Sequence, residues 1–298
     1  MKTFEELGVG EPLRRAIEEL GFETPMPVQE AVIPHLLGDD GGDVVALAQT
    51  GTGKTAAFGL PVLQRIDPSK HVPQALILAP TRELCLQIAG DLADFSKYIP
   101  DVTVLPVYGG SSIESQIRAL RAGVEVIVAT PGRLIDLINR GVVNSSDVHT
   151  VILDEADEML NMGFLDSIEE ILSHIPEDRR MLLFSATMPA DIAKIAKKYM
   201  RDYREFVIGN RNEGAANVRH IYYMVNARDK YLALKRIADN SPDIYAIVFC
   251  RTRRDTQEIA DRLIADGYNA DALHGDLSQQ QRDIVMKKFR DRVTSILV

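Results

Sequence analysis

Short apolar runs rich in Val, Ile and Leu alternate along the chain with amphipathic stretches of helical length. The runs are DVVALA, ALILAP, VTVLPVYGG, VEVIVAT, TVILDE, MLLFSAT, REFVIG, AIVFC and the closing SILV. They are apolar at consecutive positions instead of alternate ones, as in strands covered on both faces, and the helices between them supply the crossovers a parallel sheet requires. The pattern predicts an α/β protein with parallel sheets. One stretch, GNRNEGAANV at 209–218, lacks apolar periodicity and is rich in Gly, Asn and Ala. It predicts a linker between a lobe over 1–208 and a second over 219–298.

The two lobes are expected to be copies of one design. ALILAPTRE reaches Thr81-Arg82 and AIVFCRTRR reaches Thr252-Arg253, an offset of 171. VYGGSSIESQIRAL then parallels LHGDLSQQQRDIVM, and VEVIVAT parallels TSILV with Val128 opposite Val298, an offset of 170. Three ordered matches at nearly one offset favour duplication over chance, although no short repeat exists. The chain stops on Ile296-Leu297-Val298 with no turn or polar tail. On the internal alignment this strand is followed in the first lobe by about 80 more residues. The second lobe is therefore expected to be cut short, with a strand edge and a core face uncovered.

The 298 residues are 46% hydrophobic and 26% charged, enough for a large core, and no apolar run approaches the ~18 residues of a membrane span. The acidic start MKTFEELGVGEPL lacks the layout of a signal peptide. Cys85 and Cys250 are expected to be reduced core thiols of a cytoplasmic protein. The net charge of −9 divides unevenly: residues from 219 onward carry 14 Lys and Arg against 11 Asp and Glu, and the preceding part 20 against 32. No basic surface announces a nucleic-acid partner, so that reading has to come from particular positions.

AQTGTGKT, residues 48–55, follows one apolar run and opens the helix-like AAFGLPVLQRI. Strand, glycine loop and helix in that order are the setting of a phosphate-binding loop. Gly51 and Gly53 allow backbone N–H groups to face a phosphate, Lys54 would reach the β- and γ-phosphates, and Thr55 would hold Mg²⁺. Ala48 stands where a glycine normally leads, and Gln49, Thr50 and Thr52 complete the loop. In TVILDEADEML, Asp154 and Glu155 stand just past a buried strand, where α/β sheets present their ligands. Asp154 suits a water-mediated Mg²⁺ contact and Glu155 suits orienting or deprotonating an attacking water. An acidic helix start stabilised by the dipole would place the same residues; the upstream phosphate loop favours a core that hydrolyses ATP or GTP.

Taken together these motifs resemble the DEAD-box RNA helicases. Asp154-Glu155-Ala156-Asp157 is the family's name-giving motif and AQTGTGKT its form of the phosphate loop. GFETPMPVQ, residues 21–29, is similar to its adenine-reading motif, with Phe4 at the upstream distance. PTREL, Gly109-Gly110, TPGR and SAT follow in family order, and in the second lobe Phe249 and Thr252 fit FxxT, and Gln279 and Arg282 fit QxxR. The resemblance covers essentially the whole chain and implies two RecA-like lobes, with ATP and Mg²⁺ as cofactors and RNA as partner. A glutamine amide both donates and accepts, so Gln29 would pair with adenine and select ATP over GTP while Phe22 stacks on the base. For Phe22 and Phe4 packing on a helix face is the competing reading, and Phe4 is expected to buttress the element.

The same resemblance puts RNA contacts on Pro80, Thr81, Arg82, Gly109, Gly110, Thr130, Pro131, Gly132 and Arg133. Each segment lies where a strand ends and a helix begins, so amides and helix dipoles could meet phosphates on an acidic lobe. Such contacts position RNA without reading its sequence. Ser185 and Thr187 resemble the element coupling nucleotide state to RNA, with Asp157 as their partner; capping the next helix is the alternative. Gln279 and Arg282 are expected to combine helix capping with RNA contact. The implied cycle is an ATP-driven closure that separates short duplexes locally. The family's later Arg-rich segment, which reaches the γ-phosphate, is not among these 298 residues, so the chain is expected to bind nucleotide but hydrolyse and unwind poorly. The alternatives are a nucleotide-switched RNA clamp and a DNA translocase, the latter disfavoured by the adenine motif.

Overall fold

Seven parallel strands form the first sheet: β1 (Val44–Leu47), β2 (Ala75–Leu78), β3 (Val104–Val107), β4 (Val126–Ala129), β5 (Thr150–Leu153), β6 (Arg180–Ser185) and β7 (Arg204–Val207). Their order is β3-β4-β2-β5-β6-β1-β7. Neighbouring strand residues point to opposite faces, so a strand buried on both sides must be apolar throughout. Val44 and Ala46 of β1 enter one core cluster while Val45 and Leu47 enter the other, and β2, β4 and β6 divide in the same way. Helices α1 (Glu11–Glu19), α2 (Pro27–Leu37), α3 (Lys54–Gln64) and α4 (Arg82–Phe95) cover the first face. The second is covered by α5 (Ile113–Ala122), α6 (Pro131–Asn139), α7 (Ala156–Asn161), α8 (Leu165–Ser173) and α9 (Ala190–Tyr199).

This computed structural model of the chain describes residues 2–38, 41–209 and 219–298. The chain divides into two units, Met1–Ala216 and Asn217–Val298. Of the expected linker only Gly209 is among the described residues; 210–218 lie outside them. No described helix is long and apolar enough to cross a membrane. Cys85 is buried and Cys250 half-buried, and both are free thiols.

The second unit contains α10 (Lys230–Asp239), β8 (Ala246–Ile247), α11 (Arg253–Ala265), β9 (Ala270–Asp271), α12 (Gln279–Arg290) and β10 (Ile296–Leu297). Its parallel sheet runs β8-β10-β9, the order of β2-β4-β3 in the first sheet. The repeated Thr-Arg also serves one purpose twice. Thr81 Oγ1 accepts the Leu84 N–H at the start of α4, and Thr252 Oγ1 accepts the Asp255 N–H at the start of α11.

One strand escaped the sequence pattern. The pattern missed β9, because Ala270-Asp271 is only two residues long and half polar. The closing run forms β10, the middle one of the three described strands, with Ile296, Leu297 and Val298 buried, as its apolar pattern predicts. The outer strand with an open apolar side chain is β8, whose Ile247 is 52% exposed.

Candidate functional site

The loop after β1 leaves the carboxyl edge of the sheet between β6 and β7, tied to β6 by Ala48 N–H donating to Ser185 O at 3.0 Å. Gly51 and Gly53 adopt φ of 81° and 85°, the left-handed region that favours glycine. Gly53 has a second constraint: a Cβ there would collide with Gln29 Nε2 and stand 2.9 Å from Met26 Sδ. Thr52 Oγ1 closes the turn on Gln49 O at 2.7 Å. Gly53 then starts α3, so Lys54 and Thr55 sit in its first turn, where free amides and the helix dipole favour an anion.

From β5 the chain passes through Asp154, buried at 2% exposure, into Glu155 at φ 48°, ψ 51°. A left-handed glutamate costs on the order of 1 kcal/mol and here redirects its carboxylate. Glu155 Oε1 accepts from Lys54 Nζ at 2.8 Å and from Thr50 Oγ1 at 3.1 Å. Burial pushes the Asp154 carboxyl up to about 7; the Lys54 charge opposes this and the Glu155 charge adds to it. An acid so desolvated gains from a nearby cation. Asp154 and the half-buried Thr55 hydroxyl are hard oxygen donors that fit Mg²⁺, which commonly takes one or two protein oxygens and completes its shell with waters and substrate phosphates. No group of three or more His, Cys, Asp or Glu is placed to hold a metal ion among the described residues.

Gln29 is 1% exposed and its amide is engaged within the chain. Its Oε1 accepts from Met26 N at 2.9 Å, and its Nε2 donates to Gly53 O at 3.1 Å. The adenine-reading candidate is thus bonded directly to the phosphate loop, with one N–H and one lone pair remaining. Phe22 is half-buried, edge-on to Phe95 at 5.9 Å and tilted on Phe4 at 6.3 Å. Phe4 is buried behind it, in the buttressing position expected from sequence.

Asp157, in the first turn of α7, joins the carboxylate segment to β6. Thr187 donates to Asp157 Oδ2 from its hydroxyl at 2.7 Å and its N–H at 3.0 Å, and the buried Ser185 hydroxyl accepts the Asp157 N–H at 3.2 Å. Burial would raise the Asp157 carboxyl, but the bonds from Thr187 and Ser185 outweigh it and hold it below its usual value. The capping alternative fails for both residues, since Ser185 lies inside β6 and α9 is capped at Pro189.

The remaining candidates of this unit gather at the same carboxyl edge. Thr81 and Arg82 open α4, with Arg82 over the Tyr108 ring at 4.9 Å. Gly109 and Gly110 are exposed, Gly110 at φ 82°, and Thr130 and exposed Gly132 flank the start of α6. Pro80 and Pro131 are buried, so they shape these turns and present no ring to a ligand. Arg133 is committed internally: it donates to Ser111 O at 3.2 and 3.3 Å and to Gln116 Oε1 at 3.0 Å. Gln116, 5% exposed, also donates to Tyr108 O at 3.1 Å and Ser111 Oγ at 2.7 Å. It thereby fixes the Gly109-Gly110 turn, a role a lone glutamine on an amphipathic helix does not advertise.

In the second unit Phe249 is 92% exposed and Thr252 caps α11. The capping expectation for Gln279 and Arg282 is overturned. Ser278 and Gln281 form the capping box of α12, and Gln279 donates to Asp283 Oδ1 at 3.0 Å.

Comparison with known proteins agrees with this geometry. Residues 26–195 match the DEAD/DEAH box helicase family and residues 229–298 the helicase conserved C-terminal domain. The chain is 47% identical over 298 residues to the DEAD-box ATP-dependent RNA helicase CshA of Geobacillus kaustophilus, spanning 100% of itself and 63% of that protein. It is 43% identical over 296 residues to the ATP-dependent RNA helicase DeaD of Escherichia coli, covering 99% of itself and 47% of the relative. It thus spans between about half and two thirds of the length of these curated relatives. Among solved structures, a DEAD box protein from Methanococcus jannaschii is similar at TM-score 0.67 and 43% identity, over 99% of this chain and 79% of that one. Saccharomyces cerevisiae Dbp5 bound to RNA and ADP BeF3 is similar at TM-score 0.90 and 30% identity, over 100% and 75%. With the phosphate loop, the buried Asp154 and the Asp157–Thr187 link at one sheet edge, the match over more than half its length shows that this chain belongs to the DEAD/DEAH box helicase family.

Proposed function

We propose that the chain is the ATP- and RNA-binding core of an ATP-dependent RNA helicase, an RNA-stimulated ATPase that separates short duplexes by closure of its two units on nucleotide and one strand. The observation that carries this reading is the joint approach of Lys54 and Thr50 to Glu155 beside the buried Asp154. Lys54 would bind the β- and γ-phosphates, Glu155 would orient and deprotonate the attacking water, and Thr55 with Asp154 would hold Mg²⁺, which supplies charge neutralisation at the phosphates when bound. Gln29 and Phe22 would meet the adenine. Thr81, Arg82, Gly109, Gly110, Thr130 and Gly132 would meet RNA phosphates and 2′-hydroxyls, joined in the second unit by Phe249, Thr252, Gln279 and Arg282. Asp157, Ser185 and Thr187 would pass the nucleotide state to that surface. A cytoplasmic setting suits these ligands.

The test is phosphate release with and without single-stranded RNA, using the unmodified chain, Lys54→Ala and the chain extended by its relatives' next segment. RNA stimulation that vanishes with Lys54→Ala supports the reading; turnover indifferent to RNA removes it. The 298 residues alone are expected to bind nucleotide and turn it over slowly, because an arginine reaching the γ-phosphate is worth about 10³–10⁵ in rate. Equal rates for the two lengths would discard that part.

A further inference from the structure

A second cationic site lies at the opposite, amino edge of the same sheet. Strands β5, β6, β1 and β7 are consecutive neighbours, and the residues that enter them meet around one cleft of about 590 Å³. His149 precedes β5, Arg179 and Arg180 open β6, and Arg201 approaches β7; Arg65, at the end of α3, closes the wall. Strands of four residues at about 3.3 Å each separate this cleft from the phosphate loop by the height of the sheet.

Among the described residues the cleft carries more cations, Arg65, Arg179, Arg180 and Arg201, than carboxylates, Asp43 and Asp178. Asp43 is buried and both its oxygens are used, accepting from Met181 N and Arg201 N at 2.7 Å each. Asp178 pairs with Arg201 at 3.6 Å. Arg65, Arg179 and Arg180 have no carboxylate partner among the described residues; Asp39 and Asp40 lie outside them. Their bonds go to main-chain carbonyls: Arg65 to Gly38 O at 3.0 Å, Arg180 to Leu36 O at 3.2 Å, and Arg179 to Ile175 O and Pro176 O at 3.1 and 2.8 Å. Arg179 Nε is buried with no hydrogen-bond partner. Burial and the neighbouring Arg65 lower the Arg180 guanidinium against the opposing charge of Asp43, and burial, Arg180, Lys70 and Arg65 lower His149. Crowded cations in a lobe that carries 32 acids against 20 bases are costly without an anion. Capping the last carbonyls of α2 explains where Arg65 and Arg180 point. It uses few of the five donors each guanidinium carries.

We infer that this cleft binds phosphate groups, at a site separate from the nucleotide. Several guanidinium forks around one concavity suit a multiply charged tetrahedral anion better than a single carboxylate. No Phe, Tyr or Trp is among the described residues that line the cleft, and His149 is its one ring, so the lining favours phosphates over a stacked base. The phosphates could be those of a free polyphosphate or of a remote RNA segment; the RNA source alone rests on the proposed function.

The test uses inorganic tripolyphosphate and calorimetry on the chain carrying Lys54→Ala, which disables the phosphate loop. One saturable site is expected. Arg65→Gln with Arg180→Gln, which keep an amide donor for Gly38 O and Leu36 O, should weaken it at least tenfold with the thermal midpoint little changed. Arg140→Gln with Lys194→Gln, both in exposed ion pairs outside the cleft lining, removes the same two charges and should have no effect. In parallel, the salt dependence of single-stranded RNA affinity is compared between the unmodified chain and the double variant. A slope reduced by about 0.7 per lost phosphate contact assigns the phosphates to RNA. An unchanged slope with tripolyphosphate binding lost assigns them to a free polyphosphate. No saturable tripolyphosphate binding, or binding equal in the double variant, overturns the inference.

Discussion

Lys54 Nζ stands 2.8 Å from Glu155 Oε1, with the two side chains only 6% and 16% exposed. The cation that would bind phosphate and the carboxylate that would act on water are thus each other's ion-pair partner. Arriving phosphates would compete for Lys54 and leave Glu155 to Thr50 and a water. Nucleotide binding would therefore be coupled to release of the base.

That coupling separates two variants. Lys54→Ala removes the phosphate ligand and leaves a half-buried carboxylate unpaired, so nucleotide affinity should collapse. Glu155→Gln removes the competitor for Lys54 while keeping the shape. Its nucleotide affinity should hold or rise while turnover falls by about 10²–10⁴, the usual range for a general base. Calorimetry with a non-hydrolysable ATP analogue and a phosphate-release assay read the two effects separately. Weakened binding in Glu155→Gln would contradict the competition.

Asp154 gives stability and ligand binding opposite pH dependences. Its folded pKa of about 7 lies above the ordinary 3.8, so between those values the folded state holds the extra proton. The contribution is full below the unfolded pKa and is lost as pH rises toward 7. The ligand-free chain should therefore melt lower at pH 8 than an Asp154→Asn variant, with the two converging near pH 4. Mg²⁺-nucleotide would need the ionised form, so its affinity should increase more from pH 6 to pH 8 in the unmodified chain than in Asp154→Asn, where the phosphate's own ionisation alone remains. Parallel melting curves for the two proteins across that range would refute the assignment.

The first sheet was legible because burial on both faces forces continuous apolar runs, and the phosphate loop because its backbone demands glycine at fixed positions. The carboxylates followed from their place after a buried run. What escaped the sequence were pairings between distant polar residues: Gln29 on Gly53 O, Thr50 on Glu155, and Gln116 with Arg133. No periodicity marks such partners, since each reads locally as a solvated side chain. The short β9 escaped for a different reason. Two residues cannot establish an apolar pattern, and Asp271 interrupts it.

Two glycines of the phosphate loop should respond unequally to alanine. Both have positive φ, which costs an alanine about 1 kcal/mol. At Gly51 nothing lies within 4 Å of the added carbon, so that is the main penalty. At Gly53 the methyl collides with Gln29 Nε2 and crowds Met26, so the Gln29 amide has to shift and its bond to Gly53 O is strained. Gly53→Ala should lower both the melting temperature and ATP affinity more than Gly51→Ala, and should relax discrimination against GTP. Identical behaviour of the two variants would disconnect Gln29 from the loop.

Thr187→Val preserves shape and deletes the 2.7 Å bond to Asp157 while leaving the 3.0 Å backbone bond. The stability cost should be about 1–2 kcal/mol, as for other bonds to charged groups. Nucleotide affinity without RNA should be unchanged, while RNA stimulation of turnover drops. A variant with normal stimulation would confine this bond to a structural part.

Gln116 offers the cleanest probe of the proposed RNA surface, because it touches none of the proposed nucleotide groups. It ties Tyr108 O, Ser111 Oγ and Arg133 together on one buried amide. Gln116→Ala would free the Gly109-Gly110 turn and leave Arg133 with only the Ser111 carbonyl. A turn held in one shape binds phosphate with little ordering cost, whereas a loosened turn must be ordered on binding, at about 0.5–1.5 kcal/mol per immobilised group. RNA affinity should therefore fall about three- to tenfold with nucleotide affinity unchanged. Gln116→Glu distinguishes position from mere volume: it can accept from Arg133 but cannot donate to Tyr108 O, so it should recover only part of the loss. Fluorescence anisotropy with a labelled single strand, beside nucleotide titration of the same samples, measures both. A Gln116→Ala variant with undiminished RNA affinity would show that the Gly109-Gly110 turn does not contact the strand.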